Sequence, residues 1–256
     1  MIRELFENQK PLMVSGAISF LCFAILAVVS LFDPTEILGI NRWIKPMKFF
    51  VSVAVLSWTT AVYLKYLRGY DRSSRFISWT MIAVFFVEMF IIVMQALRGT
   101  TSHFNTKTPF DGMLFAIMGV AVVINTLLLV HLLFLYFKAE IELPRSIIWG
   151  IRFGIILFLA SCIEGGYMSQ HLSHSVGVAD GGKGLPLINW STEGGDLRVA
   201  HFVGMHAFQV VPFFAYTLET YKIKNSTALT AIFAILYFIF FTFVFLQALY
   251  GKPFIG

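Results

Sequence analysis

Residues 194–214, GGDLRVAHFVGMHAFQVVPFF, place Asp196, Arg198, His201, His206 and Gln209 in the mouth and upper half of an apolar run long enough to cross a bilayer. Ionisable groups are costly in hydrocarbon, so those kept there are by default candidates for binding, ligation or proton transfer. Asp196 follows two glycines and also suits a helix N-cap, where a carboxylate accepts the first free N–H groups. The two roles are compatible. At about 100° per residue, His201 and His206 point roughly 140° apart, whereas His206 and Gln209 lie about 60° apart on one face. A helical metal pair wants a separation of three or four residues. Partners for either histidine must therefore come from other segments.

Residues 161–177, SCIEGGYMSQHLSHSVG, supply one set of partners. If the preceding helix continues beyond the membrane, Glu164, His171 and His174 fall within about 80° of one another, a carboxylate and imidazoles able to hold a metal. Gly165 and Gly166 weaken a helix there, and a solvated loop is the alternative. The candidate metal ligands are His103, Glu164, His174, His201 and His206, and a divalent transition metal such as zinc suits that donor set. Haem needs two axial ligands at matching depth on neighbouring helices. His131 and His206 differ in depth by roughly 18 Å at a rise of about 1.5 Å per residue, which argues against haem.

A third group begins at Glu88, near the middle of an apolar run, with Gln95 and Arg98 following on roughly the same face. A carboxyl so placed is desolvated and suited to carrying a proton, or it pairs with Lys48 or Asn125 as a structural element. The next segment, RGTTSHFNTKTPFDG, adds His103, Asn105 and Asp111. A fourth group, NRWIKPMKFF, presents Arg42, Lys45 and Lys48, which could hold an anionic group, pair with Glu88, Glu164 or Asp196, or snorkel to lipid phosphates beside Trp43. Across these groups, Glu88, Asp196 and His206 are the candidate catalytic residues. Arg42, Lys45, Lys48, Gln95, Arg98, Asn105, Arg198 and Gln209 are the candidate ligand-binding residues.

The elements that position them are helices in a membrane. Of 256 residues, 58% are hydrophobic and only 13% charged, against about 25% charged in ordinary soluble domains; the mean hydropathy is +0.79. Apolar runs near the roughly 20 residues that cross a bilayer occur at about 11–32, 47–67, 76–97, 112–137, 146–167, 198–218 and 227–249. They lack the alternation of barrel strands, so the expectation is an all-α polytopic membrane protein, a bundle of seven transmembrane helices in one domain over 1–256. Lys65, Arg68, Arg72 and Arg75 crowd one tight turn and put the N-terminus in the cytoplasm and the C-terminus outside. On that orientation the long segment 169–195 is an outer loop, of a length that usually marks a lid, a binding loop or disorder.

The net charge of +5 comes from basic residues flanking apolar spans, where they set topology and meet anionic lipid; it does not point to nucleic acid. Cys22 and Cys162 lie inside apolar runs and support no disulfide framework. GVADGGKG at 177–184 lacks the Ser or Thr that completes a phosphate loop, and the last span has no lysine for a retinal Schiff base.

QALRGTTSHFN at 95–105, SHSVGVADGGKGLP and GGDLRVAHFVGMHAFQ resemble stretches of a group of bacterial seven-span membrane proteins. The resemblance implies a bacterial cytoplasmic membrane and carries no activity with it. The expected architecture is an outward-facing polar pocket lined by spans two, three, five and six and roofed by the 169–195 loop. Its expected function is binding a metal ion or a small polar or anionic ligand, with an enzyme acting at the outer leaflet as one form. A proton-coupled transporter using Glu88 and a sensor or interaction subunit are the alternatives.

Overall fold

The computed structural model describes residues 2–256, with side chains from residue 5 onward. A short helix α1 (Ile2–Asn8) precedes α2 (Lys10–Val29), α3 (Ile44–Lys65), α4 (Asp71–Leu97), α5 (Pro109–Lys138), α6 (Arg145–His171), α7 (Leu197–Thr220) and α8 (Ser226–Leu249). Among the described residues, α2 to α8 are the seven helices long and apolar enough to cross a membrane. Strand is confined to two antiparallel pairs, β1 (Glu36–Ile37) with β2 (Ile40–Asn41) and β3 (Ser175–Val176) with β4 (Gly195–Asp196). Helices are the expected solution for unbroken apolar runs, since each closes its own backbone hydrogen bonds. Val120, Val123 and Leu127 of α5 and Ile235, Leu236 and Phe243 of α8 are exposed apolar side chains, a surface suited to hydrocarbon. The chain is a multi-pass helical membrane protein.

Two segments differ from the sequence expectation. Helix α6 does not weaken at Gly165 and Gly166 but runs through both to His171, ending on Leu172 in the left-handed region. Segment 169–195 is not structureless. Its start belongs to α6, Ser175 pairs with Asp196 across β3 and β4, and Gly184 bridges Ser191. Helix α5 begins slightly early, at Pro109, because Thr108 and Asp111 cap it. The Thr108 hydroxyl accepts the Asp111 N–H at 3.1 Å and donates to its carboxylate at 2.7 Å.

The chain divides into two compact units, Met1–Leu128 and Leu129–Gly256. In the first, α2 packs on α3, and the Trp58 indole donates to the Met13 carbonyl at 3.2 Å. Leu12, Ala54, Ala61, Leu64, Ile77, Met81 and Ile92 fill its core. In the second, α6 and α7 pack closely together, and Gly154 faces Ala207, Phe208 and Pro212. A Cβ at Gly154 would lie 2.8 Å from the Ala207 carbonyl oxygen. Small residues permit such close backbone approach in membranes, where packing rather than the hydrophobic effect joins helices. Leu157, Ala207, Val211 and Ala234 form the apolar core alongside.

Gly154→Val therefore forces α6 and α7 apart and lowers unfolding free energy by about 1–3 kcal/mol, as overpacking does. Gly119→Val, at a glycine with open space around it, leaves stability nearly unchanged. Denaturation of both variants in detergent micelles checks the contrast.

Candidate functional site

Asp196 organises the entrance to α7. Its backbone lies in β4, in register with Ser175, and the following Leu197 N–H donates to the His174 carbonyl at 2.9 Å. One carboxylate oxygen accepts the Arg198 N–H at 3.0 Å and Arg198 Nε at 2.9 Å, which is the N-cap geometry. The other accepts Arg198 Nη2 at 2.6 Å and the Ser191 N–H at 2.8 Å. Arg198 also donates to the Asn189 carbonyl. With only 1% of Asp196 exposed, this carboxylate is fully engaged in fixing loop to helix.

About one and a half turns further in, His201 faces α6. Its Nδ1 lies 2.9 Å from Glu164 Oε2 and 3.0 Å from the Ser161 carbonyl. Both neighbours accept, so Nδ1 carries the proton and donates, leaving Nε2 as the basic nitrogen. The ring has room because position 165 is glycine; a Cβ there would lie 2.8 Å from His201 Cε1. The Glu164 side chain is 3% exposed and that of His201 27%. The carboxylate is sealed, and the imidazole is its open side. Glu164 Oε1 has no hydrogen-bond partner, although Asp196 stands near enough for its charge to act on Glu164.

The loop before β4 has its own polar centre. Asp180 accepts from the Ser173 hydroxyl at 2.9 Å and the Ser175 N–H at 3.0 Å, and His174 Nδ1 lies 3.3 Å away. Burial alone would raise the Asp180 carboxyl, but the charge of His174 and hydrogen bonds from Ser175 and Ser173 outweigh it and hold it below the ordinary carboxylate value. His171 is exposed, with Nδ1 2.9 Å from the Tyr167 carbonyl and its ring tilted against that of Tyr167. It does not join Glu164 and His174, because continuation of α6 carries it outward while His174 lies beyond the helix end. Deeper in α7, His206 packs edge-on against Phe202, with Gln209 about one turn further along the same helix.

The first unit holds the other sequence candidates. Arg42 pairs with Asp33, which also accepts the Trp43 indole at 2.8 Å. Hydrogen bonding from Thr35, then from Arg42 and Trp43, holds the Asp33 carboxyl well below its usual range despite desolvation. The acidic partner of Arg42 is thus Asp33, and within this unit Glu88 does not take that place. Arg98 donates to Asp111 at 2.6 Å and to Gln95 at 2.5 Å, and Gln95 itself donates to Asp111 at 2.8 Å. Asn105 donates to the Thr100 hydroxyl and the Thr101 carbonyl. His103 lies 3.1 Å from the Ser102 hydroxyl and packs on Phe49. Glu88 is 7% exposed, with Oε1 lacking a partner; Lys45 is the cation whose charge acts on it. Lys48 is half-buried on α3.

The expected metal set His103, Glu164, His174, His201 and His206 is not assembled. Among the described residues no three His, Cys, Asp or Glu side chains are disposed to hold a metal ion. Glu164 meets one imidazole, while His174 turns to Asp180 and His206 packs on Phe202. The residue readings missed Asp33, Asp180 and Ser161, whose roles depend on turns and on a carbonyl in the facing helix. Only the proximity of Asp33 to Arg42 in one short loop offered a signal.

Protonating Asp180 removes the anion that His174, Ser173 and Ser175 hold. Because its folded-state value is depressed, the stabilisation is present above the unfolded value of about 4 and is lost as pH falls through the folded one. Hydrogen-exchange protection at residues 173–180, corrected for intrinsic rates, falls on acidification past that point. Asp180→Asn starts with low protection and loses the pH dependence.

The chain matches no known family profile, and neither curated proteins nor solved structures show significant similarity to it.

Proposed function

We propose that this is a multi-pass protein of a bacterial cytoplasmic membrane, N-terminus cytoplasmic and C-terminus outside, whose second unit binds a small polar ligand at the outward mouth of α6 and α7. There it exchanges a proton through Glu164 and His201. The observation that carries this reading is the buried Glu164 carboxylate, with one oxygen on His201 and the other without a partner. A buried carboxyl oxygen left unsatisfied is costly, and a proton delivered through His201 removes that cost. The His201 ring is partly exposed and its Nδ1 is engaged, so Nε2 is the nitrogen left to accept a proton from a ligand, an arrangement suited to general acid–base exchange. The fitting ligand carries N–H or O–H donors, as amines and polyols do. Asp196 and Arg198 neutralise each other and shape the mouth, so a simple anion finds no open cation in that pair.

Thermal-shift titration of purified protein with amines, amino acids, polyols and inorganic anions tests the reading. A donor-bearing class raises the melting temperature saturably, and Glu164→Gln and His201→Ala each weaken it by roughly 30-fold, as expected when a partner of about 2 kcal/mol is lost. Equal affinity in wild type and both variants contradicts the proposal.

Glu88 supports a second reading, proton-coupled transport through the first unit. Its Oε1 lacks a partner, and the buried hydroxyls of Ser57 and Thr60 on α3 lack partners too. A carboxyl that takes up and releases a proton in such surroundings is a carrier. In liposomes with a pH-sensitive dye, Glu88→Gln abolishes proton flux driven by a solute gradient; unaltered flux removes this reading.

A further inference from the structure

A cavity of about 240 Å³ lies in the first unit between the α1–α2 junction and the start of α4. It is lined by Asn8, Gln9, Pro11, Asp71, Ser74, Arg75, Ser78 and Trp79. Ser74 and Ser78 are 6% and 3% exposed, and the Ser78 hydroxyl has no hydrogen-bond partner. Buried polar groups are nearly always paired, so an orphan hydroxyl on a polar cavity wall points to an occupant. Arg75 and Asp71 lie on the exposed side of α4, and neither forms an ion pair with another described side chain. Nothing on the α2 side of the wall is charged: Asn8, Gln9 and Pro11 offer two side-chain amides and an apolar ring.

The apolar surroundings identify the kind of occupant. Phe76 and Trp79, on the same stretch of α4, are 59% and 60% exposed. They lie where the helix passes from its charged first turns, Asp71, Arg72 and Arg75, into the apolar run. That is the level of the membrane interface, where Trp is favoured and headgroups reside. The volume falls below the roughly 300–1,000 Å³ of sites for drug-sized molecules. It suits a headgroup whose tails remain outside along Phe76 and Trp79.

We propose that this cavity binds the headgroup of a zwitterionic phospholipid, a phosphate ester bearing a protonated amine. Arg75 donates to the phosphate in charge-assisted hydrogen bonds, and the Ser74 and Ser78 hydroxyls and the Asn8 and Gln9 amides complete its donor set. Asp71, one helical turn before Arg75, accepts from the ammonium. One anion and one cation about a turn apart match a headgroup carrying both signs, whereas an anionic lipid would meet Asp71 as a repulsive neighbour. A quaternary amine has no N–H to donate, so a choline headgroup binds less well than an ethanolamine one.

Native mass spectrometry of the full chain tests this, after release from nanodiscs of equal phosphatidylethanolamine, phosphatidylcholine and phosphatidylglycerol, with and without added inorganic phosphate. Wild type retains one phosphatidylethanolamine at about fivefold or greater preference, and phosphate does not displace it. Arg75→Gln lowers retention about tenfold, the loss of one charge-assisted contact. Asp71→Asn keeps phospholipid but loses the preference for ethanolamine, and Arg72→Gln, outside the cavity, changes nothing. Both site residues are exposed, so these variants fold. Equal retention of all three lipids by wild type overturns the proposal, as does retention unaffected by Arg75→Gln and Asp71→Asn. Displacement by inorganic phosphate would assign the site to free phosphate and overturn the lipid assignment.

Discussion

The Asp196 carboxylate is the joint on which the second unit's site depends. It caps α7, binds the Arg198 guanidinium and holds the Ser191 amide, while its own backbone pairs with Ser175. Each of those bonds would be weak in water. Buried and shared among a loop, a strand and a helix start, they fix where α7 begins and hence where His201 stands against α6. Removing the anion would leave Arg198 without its buried partner and the first N–H groups of α7 unsatisfied, so the cost would reach His201 through the helix start.

The same economy governs the other cations in the loops. Arg42 is held by Asp33 and Arg98 by Asp111, as Arg198 is by Asp196. These arginines are occupied in structure, which leaves them poorly suited to hold an external anion. The chemistry left open lies with the carboxylates whose charge is not fully met. Among the described residues, the buried carboxylates with an oxygen lacking a partner are Glu88 and Glu164. Glu164 has an imidazole on its other oxygen, and that ring is partly exposed, so the buried carboxylate is linked through it to the surface.

Much of the helical layout was legible because the bilayer demands long apolar runs. The run at 47–67 became α3, Ile44–Lys65, and that at 198–218 became α7, Leu197–Thr220. The Gly–Gly–Asp start of α7 was equally legible, since a carboxylate after a breaker is a local capping signal. The Glu164–His201 contact was not. Local propensity marks Gly165 and Gly166 as weak helix, yet Gly165 is required by the His201 ring thirty-six residues later in the chain. Periodicity sees one helix at a time and cannot report such a fit. Nor could it show that Ser175 pairs with Asp196, or that Asp180 rather than Glu164 receives His174, because those contacts depend on how a long loop folds back.

Glu164 and His201 form a hydrogen-bonded pair in which Nδ1 donates and Nε2 is left bare. Nitrogen NMR of ¹⁵N-histidine-labelled protein in lipid, with His201 assigned by His201→Gln, tests it most directly at neutral pH. The expected spectrum shows a His201 Nδ1–H in a strong hydrogen bond that Glu164→Ala removes, with Nε2 unprotonated. A proton on Nε2 with Nδ1 bare, or a ring signal indifferent to Glu164→Ala, would contradict it.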